Sequence, residues 1–365
     1  MIITNYNDID VQQWQRLVET SPTATWFQTP EAYRFFASLP EMMTPFVFAV
    51  TAQPHSELVS KSPIIQDETA AWEPTADVTQ DAVINNDSHS NPFHLKGIVV
   101  GYITREKSHV KQFFTRRAII YGGPLLAEDI AEEELKSLLF ALCSHLNKKA
   151  IYIETRNFND FSRWRPVFEQ CGFRYQPHYD MHISIANEAE MWARLHESKQ
   201  RQVKRALQEW TFYIETKNNN DIREFYELLA NLYKTKVHRP LPDLRFFEKF
   251  VENGYGVMLV VKQNHRIVGG ILCPVLRDKI MYEWYVVGDA IITWSAMQYA
   301  SQNGYKMFDL MGAGEPGVPY GVRDFKQQFG GRLYEFGRFR MVTHSVLYTI
   351  GCMGMKIINI RKKQR

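Results

Sequence analysis

The sequence predicts an α/β fold of the α+β kind, with two similar units in tandem, each a mixed, mainly antiparallel sheet flanked by helices. Three observations lead there. Strand-like runs follow one another without an intervening helix, which argues against a purely parallel, doubly wound sheet. The order of elements in the first half recurs in the second. The chain, at 365 residues, is also longer than one hydrophobic core usually serves.

The first unit is expected to span residues 1–185. Val11, Trp14, Leu17 and Val18 recur at helical spacing over residues 8–19, with Asp8 or Asp10 placed to cap the start. Residues 30–36 read as a short helix with an early proline, introduced by Trp26-Phe27-Gln28-Thr29. Residues 46–50 read as a strand. Residues 51–95 are polar and aperiodic, with scattered prolines and acids; they are expected to form a poorly ordered insertion between two strands. Strands are expected again at 98–103 and 117–121, the latter ended by Gly122-Gly123-Pro124. Leu135, Leu138, Leu139, Leu142 and Leu146 stripe a helix over 131–148. A strand at 150–154 follows, and residues 167–173 close the unit.

The second unit, 186–345, repeats that order. Asp221, Ile222, Phe225, Tyr226 and Leu229 restate the first helix, with Glu224 completing a capping-box-like start. Residues 242–247 echo 30–36, and 257–261 echo the strand at 46–50. Residues 266–271 echo 96–101, and 280–284 echo 118–121. A helix near 291–303 and a strand at 306–309 echo 131–154. Residues 191–207 read as one helix between the units, carrying a basic cluster of Lys199, Arg201, Lys204 and Arg205. The segment 346–365 is expected to dock as a helix or strand, or to touch an anionic membrane face through Arg361-Lys362-Lys363-Gln364-Arg365.

Composition narrows the function classes. Hydrophobic residues at 45% and charged residues at 23% are ordinary for a soluble globular protein. A net charge of +3 excludes a blanket polyanion binder, though not a local basic patch. Cys143, Cys171, Cys273 and Cys352 lie far apart among apolar residues and read as reduced core thiols in a cytoplasmic protein. The N-terminus has no basic region before an apolar run, so no signal peptide is expected. No apolar run reaches the roughly 20 residues that span a bilayer.

The chemistry is expected in residues 308–331. Phe308-Asp309-Leu310-Met311-Gly312 ends a buried strand. A loop rich in glycine and proline follows, through Gly314, Pro316, Gly317, Pro319 and Gly321. It delivers Phe325-Lys326-Gln327-Gln328-Phe329-Gly330-Gly331. A rigid scaffold that opens into such a loop is a common site architecture.

This arrangement of F-D-x-x-G, a glycine-rich loop and F-K-x-x-F-G-G resembles the Fem family of non-ribosomal peptidyltransferases, within the GNAT acyltransferase superfamily. The resemblance implies two GNAT-like units in tandem. It implies an activity in which an aminoacyl group passes from aminoacyl-tRNA to an amine of a cell-wall precursor, with no bound cofactor and no metal. Lys326 matches the family's lysine near the reacting acyl group, and Phe325 would position it. Asp309, Glu315, Tyr320 and Asp324 are equal candidates to take or relay a proton. Gly312 and Gly321 would border the substrate. The run from Lys199 to Ala206 resembles the family's substrate-facing basic helix, so Arg201, Lys204 and Arg205 would grip acceptor phosphates. Gln28 and Tyr33 match an early Q-x-x-x-x-W/Y element. Where nucleotide-binding members carry a lysine, this chain has Phe35-Phe36 with only Arg34 nearby, so the acceptor stays open. The coiled-coil arm of some members of the family is missing, but a compact form without it also occurs in the family, so tRNA use stays open.

Two other readings stand beside this one. An acyl-CoA-dependent N-acyltransferase would need a phosphate-gripping Q/R-x-x-G-x-G/A loop. The corresponding turns, Val286-Val287-Gly288-Asp289-Ala290 and residues 124–129, fit it poorly, and Asp289 would repel pyrophosphate. A non-catalytic protein that holds RNA or an anionic lipid through the basic helix is the reading from another class. His178, Asp180 and His182 share a face if residues 177–184 form a strand. They are expected to be ordinary polar residues.

Overall fold

The computed structural model describes residues 1–52, 94–106, 108–209, 211–264, 266–276 and 279–353. In chain order the first half holds β1 (Ile2–Ile3), α1 (Val11–Thr20), α2 (Pro30–Ala37), β2 (Met43–Ala52), β3 (His94–Thr104), α3 (His109–Thr115), β4 (Ala118–Tyr121), β5 (Leu125–Leu126), α4 (Glu132–Leu146), β6 (Tyr152–Arg156), α5 (Arg165–Gln170), β7 (Arg174–Gln176) and β8 (Tyr179–Ser184). The second half holds α6 (Glu188–Arg194), α7 (Glu197–Gln208), β9 (Thr211–Glu215), α8 (Asn219–Leu232), α9 (Leu244–Glu252), β10 (Gly256–Gln263), β11 (Arg266–Leu276), β12 (Ile280–Tyr282), β13 (Tyr285–Val287), α10 (Ala290–Gln302), β14 (Met307–Gly312), α11 (Gly321–Gln327), β15 (Arg332–Glu335) and β16 (Arg338–Val342).

Local chemistry sets the element starts. Asp10 caps α1 by accepting from the Gln12 and Gln13 amides at 2.9 and 3.1 Å. In the second unit the cap falls on Asn218 rather than Asp221. The Asp221 carboxylate is taken by Thr216 at 2.9 Å and Lys262 at 3.0 Å. The expected single helix over 191–207 is two helices. Leu195 is extended, and His196 caps α7 by accepting from the Ser198 amide at 3.2 Å.

Two mixed sheets form, with the orders β1-β2-β3-β4-β6-β16-β7 and β15-β8-β14-β12-β11-β10-β9; β5 and β13 pair off these paths with β3 and β11. The repeat is visible in β2-β3-β4-β6 against β10-β11-β12-β14. The pairs β4·β6 and β12·β14 are parallel, while the neighbouring pairs are antiparallel.

The strand pairing cuts across the expected division at residue 185. β8 precedes that point yet lies in the second sheet, between β14 and β15. β16 falls inside the expected second unit, 186–345, yet returns to the first sheet, between β6 and β7. The two sheets therefore exchange strands.

Alternation along the strands builds three cores. Phe46, Phe48 and Val50 turn toward α4, whose leucine stripe is fully buried. Val257, Leu259 and Val261 turn toward Trp294 and Met297 of α10. The opposite faces, with Val47, Ala49, Met258 and Val260, share a third core with α1, α2, α8 and α9. That core joins the two units.

Residues 53–93, most of the expected insertion, lie outside the described residues. Their flanks, Ala52 and His94, are paired neighbours in the β2–β3 hairpin. Residues 345–353 are helical, and Tyr348 docks on the first sheet through Arg340 at 2.9 Å and the Tyr152 ring. The basic end of the tail, 361–365, lies outside the described residues. Cys143 and Cys273 are buried as expected, Cys171 is half-buried, and Cys352 is exposed on the docked helix rather than in a core. Among the described residues no helix is long and apolar enough to cross a membrane.

Candidate active site

β12 and β14 run in parallel register as far as Tyr282 and Asp309. There they part. The Glu283 amide donates to the Asp309 carbonyl at 2.8 Å, but the Trp284 amide turns away to Leu272 at 3.1 Å, and β13 continues on β11. β14 itself is bulged against β8 between Asp309 and Gly312. The bulge holds Met311 at φ 58°, left-handed, and its amide donates to Asp309 Oδ1 at 2.6 Å. A non-glycine residue in that region marks local strain, which clusters at functional sites.

The glycine-rich loop is closed on itself. Gly314 sits at φ 85°, and a Cβ there would lie 2.8 Å from the Tyr320 ring. The Arg323 guanidinium clips the loop, donating to the Glu315 and Val318 carbonyls at 3.0 and 2.6 Å.

α11 then carries Lys326 back to the end of β14. Its ammonium donates to the Leu310 carbonyl, lies 3.5 Å from the Gly312 carbonyl, and pairs with Glu283 Oε1 at 3.3 Å. Lys326 and Glu283 are 8% and 7% exposed, so this is a buried ion pair. Burial pushes the Glu283 carboxyl up, with Lys326 opposing.

Phe325, expected to position Lys326, is half-buried, and Lys199 stands over its ring at 3.9 Å. Lys199 and Val203 form the inward face of α7. Burial lowers the Lys199 ammonium, and Asp289 opposes that shift. Arg201, Lys204 and Arg205 point outward. Arg201 and Arg205 are 73% and 83% exposed and pair, among the described residues, with Glu197 and Glu209 at 3.5 Å each. Lys204 lies over the Trp192 ring.

Beside Lys326 lies a second buried group. Asp309 is 1% exposed, and His182 Nε2 lies 3.5 Å from its Oδ2 and 3.9 Å from Asp180 Oδ2. Burial and then the Asp309 charge raise the Asp180 carboxyl well above its ordinary range. Burial works against the His182 imidazolium, but Asp309 and Asp180 outweigh it and its value rises. Phe27 and Phe158 of the first unit close over Tyr282, ring centroids 5.5 and 5.8 Å away.

The remaining expected residues are spread out. Gln28 is fully buried; its amide donates to the Gly122 and Gly123 carbonyls at 3.2 and 3.0 Å and accepts from Thr25. It is a structural latch rather than a substrate contact, because both ends of the amide are spent inside the fold. Tyr33 stacks on Tyr6 at 4.5 Å, and Arg34 pairs with Glu31 at 2.6 Å. Tyr320 caps α11, Gly321 opens it in open space, and Glu315 and Asp324 are exposed. The structure thus gathers Lys326, Phe325, Asp309 and Gly312 and adds Glu283, Lys199, Asp180 and His182. Glu283 carried no motif; its only sequence signal was an acid inside an apolar strand.

Residues 193–327 match the Acetyltransferase (GNAT) domain family. The crystal structure of FemX superposes with a TM-score of 0.63 at 14% identity, over 95% of this chain and 99% of that one. A tandem GNAT protein from the clavulanic acid biosynthesis pathway superposes at 0.50 with 8% identity, over 94% of this chain and 98% of that one. This chain has the tandem GNAT fold. None of the curated proteins matches the sequence. The GNAT match runs from α6 to the end of α11, so it contains Lys199, Glu283, Asp309 and Lys326. It leaves out β8, which brings Asp180 and His182 to the same GNAT unit through strand exchange.

Proposed function

We propose that this chain is an acyltransferase of the Fem kind, moving an aminoacyl group from aminoacyl-tRNA to an amine of a bacterial cell-envelope precursor. The observation that carries the reading is the buried Lys326 ammonium, fixed where β12 and β14 part, at the mouth of the glycine-rich loop. The amine nitrogen bonds to the acyl carbon and the ester C–O bond breaks. The amine's proton passes to the departing ribose oxygen. Negative charge grows on the carbonyl oxygen on the way, and a preorganised positive charge in a dry site stabilises it. Glu283 and the strand-end carbonyls hold that charge in place. Of the proton-relay candidates, Asp309 is the buried one beside Lys326; Glu315 and Asp324 face solvent.

An ester donor is favoured over acyl-CoA by Asp289. Its carboxylate stands at the N-cap of α10, where a pyrophosphate would seek free backbone amides. The outward cations of α7 supply a phosphate-gripping face for the tRNA or a phosphate-linked acceptor.

A donor comparison tests the reading. The purified protein is given labelled aminoacyl-tRNA and, separately, labelled acetyl-CoA, each with extracted cell-wall precursors, and products are read by mass spectrometry. Transfer from tRNA is the expected result. Transfer from acetyl-CoA alone overturns the donor assignment. Transfer from neither, with retained RNA binding, favours the binding-protein reading.

A further inference from the structure

Asp180, His182 and Asp309 bring one ligand atom each to within 4.8 Å of one another. Alternation along β8 places Asp180 and His182 on one face, and the antiparallel pairing sets Asp309 opposite His182. His178, two residues earlier, turns away to Arg338 at 2.8 Å. The converging atoms, Asp180 Oδ2, Asp309 Oδ2 and His182 Nε2, have no hydrogen-bond partner outside the trio among the described residues, and within it the closest approach is the loose 3.5 Å between His182 and Asp309. Yet Asp180 is 4% exposed and Asp309 is 1% exposed. The other oxygen of each carboxylate is spent on the backbone, Asp180 Oδ1 on Met181 N–H at 2.9 Å and Asp309 Oδ1 on Met311 N–H at 2.6 Å. Each carboxylate is therefore oriented by one oxygen and aims the other inward. The His182 ring is fixed from outside by Tyr334 and Phe336, with centroids 4.8 and 5.5 Å away.

Charge points the same way. Asp180, Asp309 and Glu283 are three buried carboxylates, and the buried Lys326 ammonium pairs with one of them, Glu283. With His182 neutral, two negative charges are left to balance, and buried charge without a counter-charge is costly. Two protons would balance them, and so would one divalent cation.

We propose that Asp180, His182 and Asp309 form a divalent-cation site, with one imidazole nitrogen, two carboxylate oxygens and water in the open positions. Donors bound at about 2.1 Å sit roughly 3.0–3.5 Å apart around a shared ion, so the side chains close on it by shifts on the order of 1 Å. Mixed imidazole and carboxylate donors suit Mn²⁺ or Zn²⁺; Mg²⁺ and Ca²⁺ favour oxygen alone. The ion would tie β8 to β14 across the bulge, behind Lys326. This departs from the metal-free expectation of the sequence, and it does not depend on which acyl group is transferred.

The full chain, stripped with chelator and desalted, is titrated with MnCl₂, followed by the loss of the free-ion spin resonance signal, and with ZnCl₂ by calorimetry. One saturable site per chain and a rise in melting temperature are expected. Asp180→Asn and His182→Ala each weaken that site by about tenfold or more. Absence of saturable binding by the wild type at millimolar ion overturns the proposal, as does unchanged affinity in both variants. Because either variant can cost folding, the wild type is also read directly. Pulsed spin resonance of the Mn²⁺ complex shows imidazole nitrogen coupling if His182 is a ligand, and its absence overturns the assignment.

Discussion

Lys326 is a charge the fold has committed to one partner. Replacing it with methionine strands the Glu283 carboxylate in the interior, and breaking a buried pair from one side costs about 3–5 kcal/mol. Thermal unfolding of Lys326→Met should show a large loss. Adding Glu283→Gln should recover most of that stability, while neither variant transfers acyl groups. A stable double variant with retained transfer would remove the ammonium from the chemistry. Glu154 is the second committed charge. Burial alone would raise its carboxyl, yet Arg156, Arg338 and Arg340 hold it down at about 2, against an ordinary 4.5. A depressed carboxyl stabilises the fold above its unfolded value and loses that contribution as pH falls from about 4.5 toward 2. The shift corresponds to roughly 3 kcal/mol. Denaturant midpoints of the wild type should therefore fall more steeply than those of Glu154→Gln over that window; parallel curves would refute the assignment.

At the scale of elements, α7 separates two roles that the sequence ran together. Its basic residues formed one cluster in the sequence, but helical periodicity turns Lys199 inward onto Phe325 and sends Arg201 and Arg205 to solvent. Reversing both arginines to glutamate should leave unfolding within about 0.5 kcal/mol of wild type. The same change should weaken tRNA binding and flatten its salt dependence. Unchanged binding would make that face merely solvated. The glycine-rich loop divides in the same way. Gly314 has a left-handed φ and a tyrosine ring where a Cβ would go, whereas nothing lies within 4 Å of a Cβ at Gly321. Gly314→Ala should lower the melting temperature by several degrees, as expected for about 1–3 kcal/mol of strain. Gly321→Ala should not, and equal effects would mean the loop is differently held. Asp180 and His182 were legible as neighbours on one strand face. Their meeting with Asp309 was not, because it depends on which strand lies next to β8.

The whole molecule shows the same limit. The repeated order of helices and strands was readable because periodicity and capping are local. The exchange of β8 and β16 was not, because a short strand carries no mark of the sheet it joins. Where pairing is local, the hairpin β2–β3 makes a plain prediction. Ala52 and His94 are already neighbours, so replacing residues 53–93 with a tight turn should leave the melting temperature within a few degrees. A drop of ten degrees or more would assign the segment a structural role. The exchange has a consequence for how the protein is made. β6 and β7 are synthesised early, but the strand that lies between them, Arg338–Val342, leaves the ribosome only after all the strands of the second sheet. The first sheet must wait, with an open edge at β6, until every strand of the second sheet has been translated.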